Sequence, residues 1–181
     1  MRGTIDQTEW LWAESEIRRC LLRYARGVDR LDLELVRSCY HPEATDSHGS
    51  FTGTVDEFLV WVERLLRRYD LTMHFLGTPL VELDDATHAR VETYGMAFHR
   101  AASGPPERNL VTGFRFVDRF ERRDGEWKIS LRRCTIEWML PGDTSLIHSG
   151  AVQGFLKGTW DRSDLSYTRP LTIDSEPASR W

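Results

Sequence analysis

Cysteine is scarce in this chain, and the three present, Cys20, Cys39 and Cys134, are odd in number, far apart and without C-x-x-C spacing. That argues against a disulfide framework or a thiolate zinc site and fits a reducing compartment, so the expected location is cytoplasmic. Charge of one sign is never concentrated. The 24 Lys and Arg and 28 Asp and Glu give a net charge of −4, with no run longer than a doublet such as Arg67-Arg68 or Arg122-Arg123. Proteins that neutralise phosphates cluster their basic residues, so nucleic acid is not an expected partner. Long apolar runs are also missing, and Asp6 and Glu9 interrupt any apolar leader, so neither a signal peptide nor a membrane partner is expected. No G-x-G-x-x-G, Walker or G-x-S-x-G element occurs, which leaves nucleotide cofactors and a serine nucleophile without support.

What is present suits one domain. A length of 181 residues with 40% hydrophobic content, including 7 Trp, 5 Tyr and 8 Phe, supplies enough large side chains to fill a core and still line a cavity. Asp6 and Glu9 resemble a capping box ahead of a helix whose apolar stripe is Ile17, Cys20, Leu21, Tyr24 and Val28, with Gly27 marking its end. A second helix is predicted over about 32–40, closed by His41-Pro42, then a short strand near 44–47. Thr54 is positioned to cap a third helix with Val55, Phe58, Leu59, Val62, Leu65 and Leu66 on its buried face.

From Leu71 onward the period turns extended. Four strands are predicted at about 71–83, 87–101, 108–121 and 126–140, the last two joined at Asp124-Gly125, a strong hairpin signal. Helices followed by a meander of long strands give an α+β fold, with a curved sheet wrapped around the three N-terminal helices as a cone with an open mouth. The domain is read as residues 1–141, and 142–181 as a tail that forms a flap over the cavity or an oligomer contact.

Several ionisable side chains are candidates for chemistry. His74, in an apolar strand, is either a satisfied core residue or a base that takes and returns protons near neutral pH. Asp29 either caps a helix or pairs with Arg30, or else holds that imidazole in one tautomer. Tyr24 is five residues before Asp29, roughly 140° beyond one turn, so the two share a face only if the helix ends at Gly27. His99 follows Thr93, Gly95 and Ala97 on one strand face, small residues that leave room beside it. Arg132 and Arg133 are adjacent in a strand and must point to opposite faces. Asp46 and His48 lie where a cavity mouth or a solvated loop would be. His48, His74 and His99 lack H-x-x-x-H spacing, so no metal site is expected.

Taken in order, Tyr24-x4-Asp29, Asp46-Ser47-His48-Gly49-x3-Gly53, His74-x2-Gly77, Tyr94-x4-His99 and Phe120-Glu121-Arg122-Arg123-Asp124-Gly125-x-Trp127-Lys128-Ile129 resemble the SnoaL-like family over about residues 8–140. That family belongs to the nuclear transport factor 2-like superfamily and includes scytalone dehydratase, bile-acid 7α-dehydratase and hexachlorocyclohexane dehydrochlorinase. The resemblance implies a cone-shaped α+β barrel and a cofactor-independent lyase or isomerase. In it His74 would be the base, Asp29 its orienting partner, and Tyr24 and His99 would assist an oxygen. The substrate would be a hydrophobic hydroxylated aromatic, polyketide-like or steroid-like molecule, contacted by Arg132 or Arg133, His48, Tyr40, Tyr94 and Trp138. Strand parity counted from Trp127 favours Arg133 over Arg132 unless a bulge intervenes. The resemblance also admits an aldol cyclase or carbon–carbon lyase, and a non-catalytic small subunit of a ring-hydroxylating dioxygenase or a ligand-binding module. Homodimers or homotrimers formed through the sheet are expected.

Overall fold

The computed structural model describes residues 6–104 and 108–175. Helix α1 (Gln7–Asp29) buries Ala13, Ile17, Cys20, Leu21, Tyr24 and Val28, the three-and-four spacing that puts one stripe against the core. It differs from the sequence expectation at both ends. Asp6 makes no side-chain cap bond, and Glu9 reaches Arg122 at 3.3 Å instead of its own helix start. The helix also continues past Gly27 to Asp29. Gly27 is needed for a different reason: a β-carbon there would stand 2.7 Å from Val36 Cγ2 and 3.0 Å from the Val36 nitrogen, so its absence lets helix α2 (Leu33–Arg37) pack directly on α1. Gly27→Ala is therefore expected to cost about 1–3 kcal/mol through overpacking against backbone, read as a lower midpoint in urea denaturation.

Asp32 caps α2 by accepting from the Leu35 amide at 3.1 Å. This helix stops at Arg37, earlier than predicted, and strand β1 (Tyr40–His48) takes Pro42 within its irregular first half, where pairing with the last strand (Glu126–Pro141) shifts between Tyr40 and Thr45. Strand β2 (Phe51–Thr54) leads into helix α3 (Val55–Leu66), opened by the expected Thr54 cap as a full capping box with Glu57. The strand predicted over 71–83 is two: β3 (Tyr69–Leu76) and β4 (Leu80–Leu83), parted by Gly77-Thr78-Pro79.

Strands β5 (His88–Ala101), β6 (Leu110–Arg123) and β7 (Glu126–Pro141) are the long meander. Asp124 and Gly125 both take positive φ, 52° and 82°, as a tight two-residue hairpin requires. The sheet order is β2-β1-β7-β6-β5-β3, with β4 also on β5. All pairs are antiparallel except β1 with β7. One face of this curved, unclosed sheet packs on the helices through Phe114, Phe116, Phe120, Trp127 and Ile129, while Met73, Phe75, Tyr94, Met96 and Trp138 stay exposed on the other.

Beyond Pro141 the described chain forms short 3-10 turns at Ser145–His148, Gly150–Val152 and Leu165–Tyr167. It returns to the α1–α2 corner, where Asp164 pairs with Arg30 at 3.1 Å and the Tyr167 hydroxyl donates to Asp32 at 2.9 Å. Arg26 lies over the Tyr167 ring at 4.1 Å. Among the described residues, no helix is long and apolar enough to cross a membrane.

Candidate active site

Between the helices and the inner sheet face lies a cavity of about 250 Å³. Tyr24 and Val28 of α1 border it one turn apart, Trp61, Val62, Leu65 and Leu66 of α3 form another wall, and His48, His74, His99, Phe114 and Phe116 reach it from the sheet. Its lining is mainly apolar, which strengthens each charge or hydrogen bond placed inside. A larger depression of about 880 Å³ lies between the end of β5 and the tail. That one is lined by small and polar loop residues with the Asp70–Arg100 ion pair, and no histidine borders it among the described residues. The described part of the tail borders this outer depression, and none of its described residues lines the inner cavity.

His74 shares the inward face of β3 with Thr72, while Met73 and Phe75 point outward, as a period of two dictates. Asp29, the last residue of α1, meets it from behind. One carboxylate oxygen accepts from the His74 backbone amide at 2.8 Å, and the other lies 2.7 Å from Nδ1. A carboxylate only accepts, so Nδ1 carries a hydrogen, and in the neutral ring Nε2 is then the nitrogen with the lone pair. Because the helix stays regular to its end, Tyr24 and Val28 share the cavity face and Asp29 is rotated off it, toward β3.

His99 stands on the adjacent strand with its ring centre 5.6 Å from that of His74, nearly perpendicular, and 4.8 Å from that of Tyr69. The space that Gly95 leaves on this face is filled by the Phe114 ring, which a β-carbon at Gly95 would meet at 2.4 Å. Burial, reinforced by His74 and His48, pushes the His99 pKa down to about 3, so the ring is neutral near pH 7. The unfolded chain then binds one more proton than the native state between about pH 3 and the ordinary histidine value of 6.5. Stability should accordingly fall with acidification through that window, and His99→Gln should remove up to about 1.4 kcal/mol per pH unit of the slope. Urea titrations of both proteins at several pH values measure it.

Tyr24 is almost fully buried, and burial, partly opposed by Arg132, raises its phenol well above the ordinary value, keeping it a proton donor. Arg132 has no exposed surface and is not a cavity wall. Its guanidinium is held bidentately by Asp118 at 2.8 and 2.7 Å and lies 4.2 Å from the Tyr24 ring centre and 3.8 Å from that of Phe116. Those two rings stand at the cavity, with the ion pair behind them. Tyr40 is in the same layer, its hydroxyl donating to Asp46 at 2.7 Å, and does not line the cavity.

Two bulges decide the remaining positions. Phe120 pairs with Ile129 and Arg119 with Leu131, so Ser130 is an extra residue that moves the inward parity of β7 from Trp127 and Ile129 to Arg132. Arg133, which parity alone favoured, is exposed on the outer side. A second shift, skipping Glu137, turns Trp138 outward, where it is 43% exposed and lies across Gly113. Tyr94, 61% exposed, is five residues from His99 and so on the opposite face of β5. These three do not contact the cavity. Asp118 escaped the sequence reading, although its place in the alternation Phe114, Phe116, Asp118, Phe120 put a carboxylate on an apolar face, a sign that a buried cation must meet it.

A sequence model of the SnoaL-like domain matches residues 9–133. No curated protein matches the chain. Among solved structures, a proposed scytalone dehydratase from Novosphingobium aromaticivorans DSM 12444 superposes with a TM-score of 0.70 at 18% identity, covering 76% of this chain and 93% of that one. A hexachlorocyclohexane dehydrochlorinase from Novosphingobium barchaimii LL02 gives 0.70 at 18% identity, over 77% and 96%. The beta subunit of a proposed aromatic-ring-hydroxylating dioxygenase from Novosphingobium aromaticivorans DSM 12444 gives 0.58 at 16% identity, over 75% and 95%. At these identities the structural likeness establishes a shared fold that hosts both enzymes and a subunit of a larger assembly. With more than two thirds of its residues inside the sequence match, the chain belongs to the SnoaL-like domain family.

Proposed function

We propose that the protein is a cofactor-independent lyase or isomerase that removes a proton from a hydrophobic, oxygenated ring compound. The observation that carries this reading is His74 at an apolar cavity with both its Nδ1–H and its backbone amide engaged by the buried Asp29 carboxylate. Holding Nδ1 leaves Nε2 as the base, and the carboxylate stabilises the imidazolium that forms on proton transfer. In a dehydration, the electron pair of the broken C–H bond becomes the new double bond and hydroxide leaves with a proton from Tyr24. His99, neutral at working pH, serves as a hydrogen-bond partner to an oxygen and not as a charged acid. A cavity of about 250 Å³, below the roughly 300–1,000 Å³ of pockets that take drug-sized ligands, favours a substrate of one or two rings over a four-ring steroid.

The competing reading is a non-catalytic subunit, which the likeness to a dioxygenase beta subunit keeps in view. A mass-spectrometric screen without added cofactor against hydroxylated aromatic ketones and polyketide intermediates, with His74→Ala run beside the wild type, separates the two. Loss of water, isomerisation or carbon–carbon cleavage by the wild type alone is the expected result. Binding without turnover, equal in both proteins, would favour the subunit reading.

A further inference from the structure

The cavity has a second imidazole backed by a buried carboxylate. Asp46 and His48 are two apart on β1 and share its inner face. Asp46 is 1% exposed. One of its oxygens accepts from Tyr40, and the other, buried and without a hydrogen-bond partner, lies 3.5 Å from His48 Nδ1, which is likewise buried and unpartnered. Buried polar atoms without partners are uncommon, and although 3.5 Å is longer than a hydrogen bond, a proton on Nδ1 would attract the carboxylate that faces it. Arg132, the register partner of Asp46, meets Asp118 through Nε and Nη2 and makes no ion pair with Asp46, although its Nη1 is also buried and unpartnered. The imidazole is seated among Phe58, Trp61 and Phe116, with ring centres 5.7, 5.9 and 6.1 Å away. His48 enters the cavity from β1 and His74 from β3, near opposite ends of the sheet order, so the curl of the sheet brings them to different walls of one space.

The geometry points to His48, oriented by Asp46, as a second catalytic residue that binds a substrate oxygen at the end away from His74 and donates a proton to it. The role rests on the reading of this cavity as a substrate site, and it adds a requirement: the ligand presents an oxygen acceptor at each end. In the reaction, the electron pair of the C–H bond broken at His74 forms an enol double bond while the carbonyl oxygen takes the proton of His48, and the proton returns to His48 as the carbonyl re-forms and the pair shifts to expel the hydroxyl that Tyr24 protonates.

The test that needs no substrate is titration of 4-nitrophenolate, an anionic one-ring probe, followed by its absorbance and by Trp fluorescence. His48→Gln should weaken binding about tenfold or more, the size of a lost charge-assisted hydrogen bond. Asp46→Asn should weaken it less, and Met73→Ala, on the outer face of the sheet, should leave it within about twofold, a change too small for such a bond. Binding by His48→Gln equal to the wild type, or a loss in Met73→Ala as large as in His48→Gln, overturns the assignment. Circular dichroism and melting curves establish that each variant is folded. On a substrate from the screen, His48→Gln should lower kcat about 100-fold, the scale of general acid catalysis. Turnover retained in His74→Ala would refute the His74 mechanism while leaving the phenolate result to decide the role of His48.

Discussion

Asp29→Asn is expected to lower turnover by about 100- to 10,000-fold while the protein stays folded, the magnitude seen when an orienting carboxylate in a His-dependent site becomes an amide. The reason is the direction of one hydrogen bond. The carboxylate accepts from Nδ1 at 2.7 Å and from the His74 amide at 2.8 Å, so both oxygens are acceptors. An Asn in the same place has one acceptor and one donor. If its oxygen keeps the backbone amide, its NH₂ faces Nδ1 and drives the hydrogen to Nε2, removing the lone pair on the cavity side. The shape is conserved, and α1 ends in the same place, so the melting temperature should change little. Steady-state kinetics on a substrate from the screen, with melting curves alongside, measure both. Turnover within about threefold of the wild type, under 1 kcal/mol of barrier, would remove the pair from the mechanism.

The largest effect on stability should come from Arg132→Leu, a loss of about 3–5 kcal/mol, because removing one partner of a buried pair leaves the other charge uncompensated. Both side chains of the Arg132–Asp118 pair have 0% exposure, and Asp46 adds a second buried carboxylate to the same layer. Replacing both partners, Arg132→Leu with Asp118→Leu, should recover most of the loss, since well-packed apolar groups replace a pair whose desolvation offsets its attraction. The deficit of the single variant relative to the wild type should also shrink on acidification, as Asp118 becomes protonated in the native state. Urea denaturation of the two variants and the wild type at neutral and mildly acidic pH reads all three expectations. Equal losses in the single and double variants would mean that the stacking of Arg132 on Tyr24 and Phe116, and not the charge pair, holds this layer.

Local rules made much of this architecture legible. The capping box at Thr54, the apolar stripes of α1 and α3, the Asp124-Gly125 hairpin and the inward alternation of β6 each depend on residues within a few positions of one another. Errors arose where a distant contact outweighed a local signal. Gly27 reads as a helix stop, yet the close approach of α2 is what requires it. Asp6 and Glu9 read as a capping box, yet Glu9 finds Arg122 on β6. On β7 a period of two counted from Trp127 places Arg133 inward, but the bulge at Ser130 puts it outside, and the second bulge turns Trp138, which the resemblance placed at the substrate, outward as well.

The sequence by itself determined the α+β class, the order of helices and long strands, and which side chains carry ionisable chemistry, because propensity, capping and alternation are encoded within a few residues. Only the tertiary structure decided which of those side chains meet. Asp29 and His74 are 45 residues apart, and Arg132 and Asp118 are 14 apart on neighbouring strands. Their contacts depend on strand register, on one extra residue at Ser130 and on the curl of the sheet, which are set by packing of the whole core.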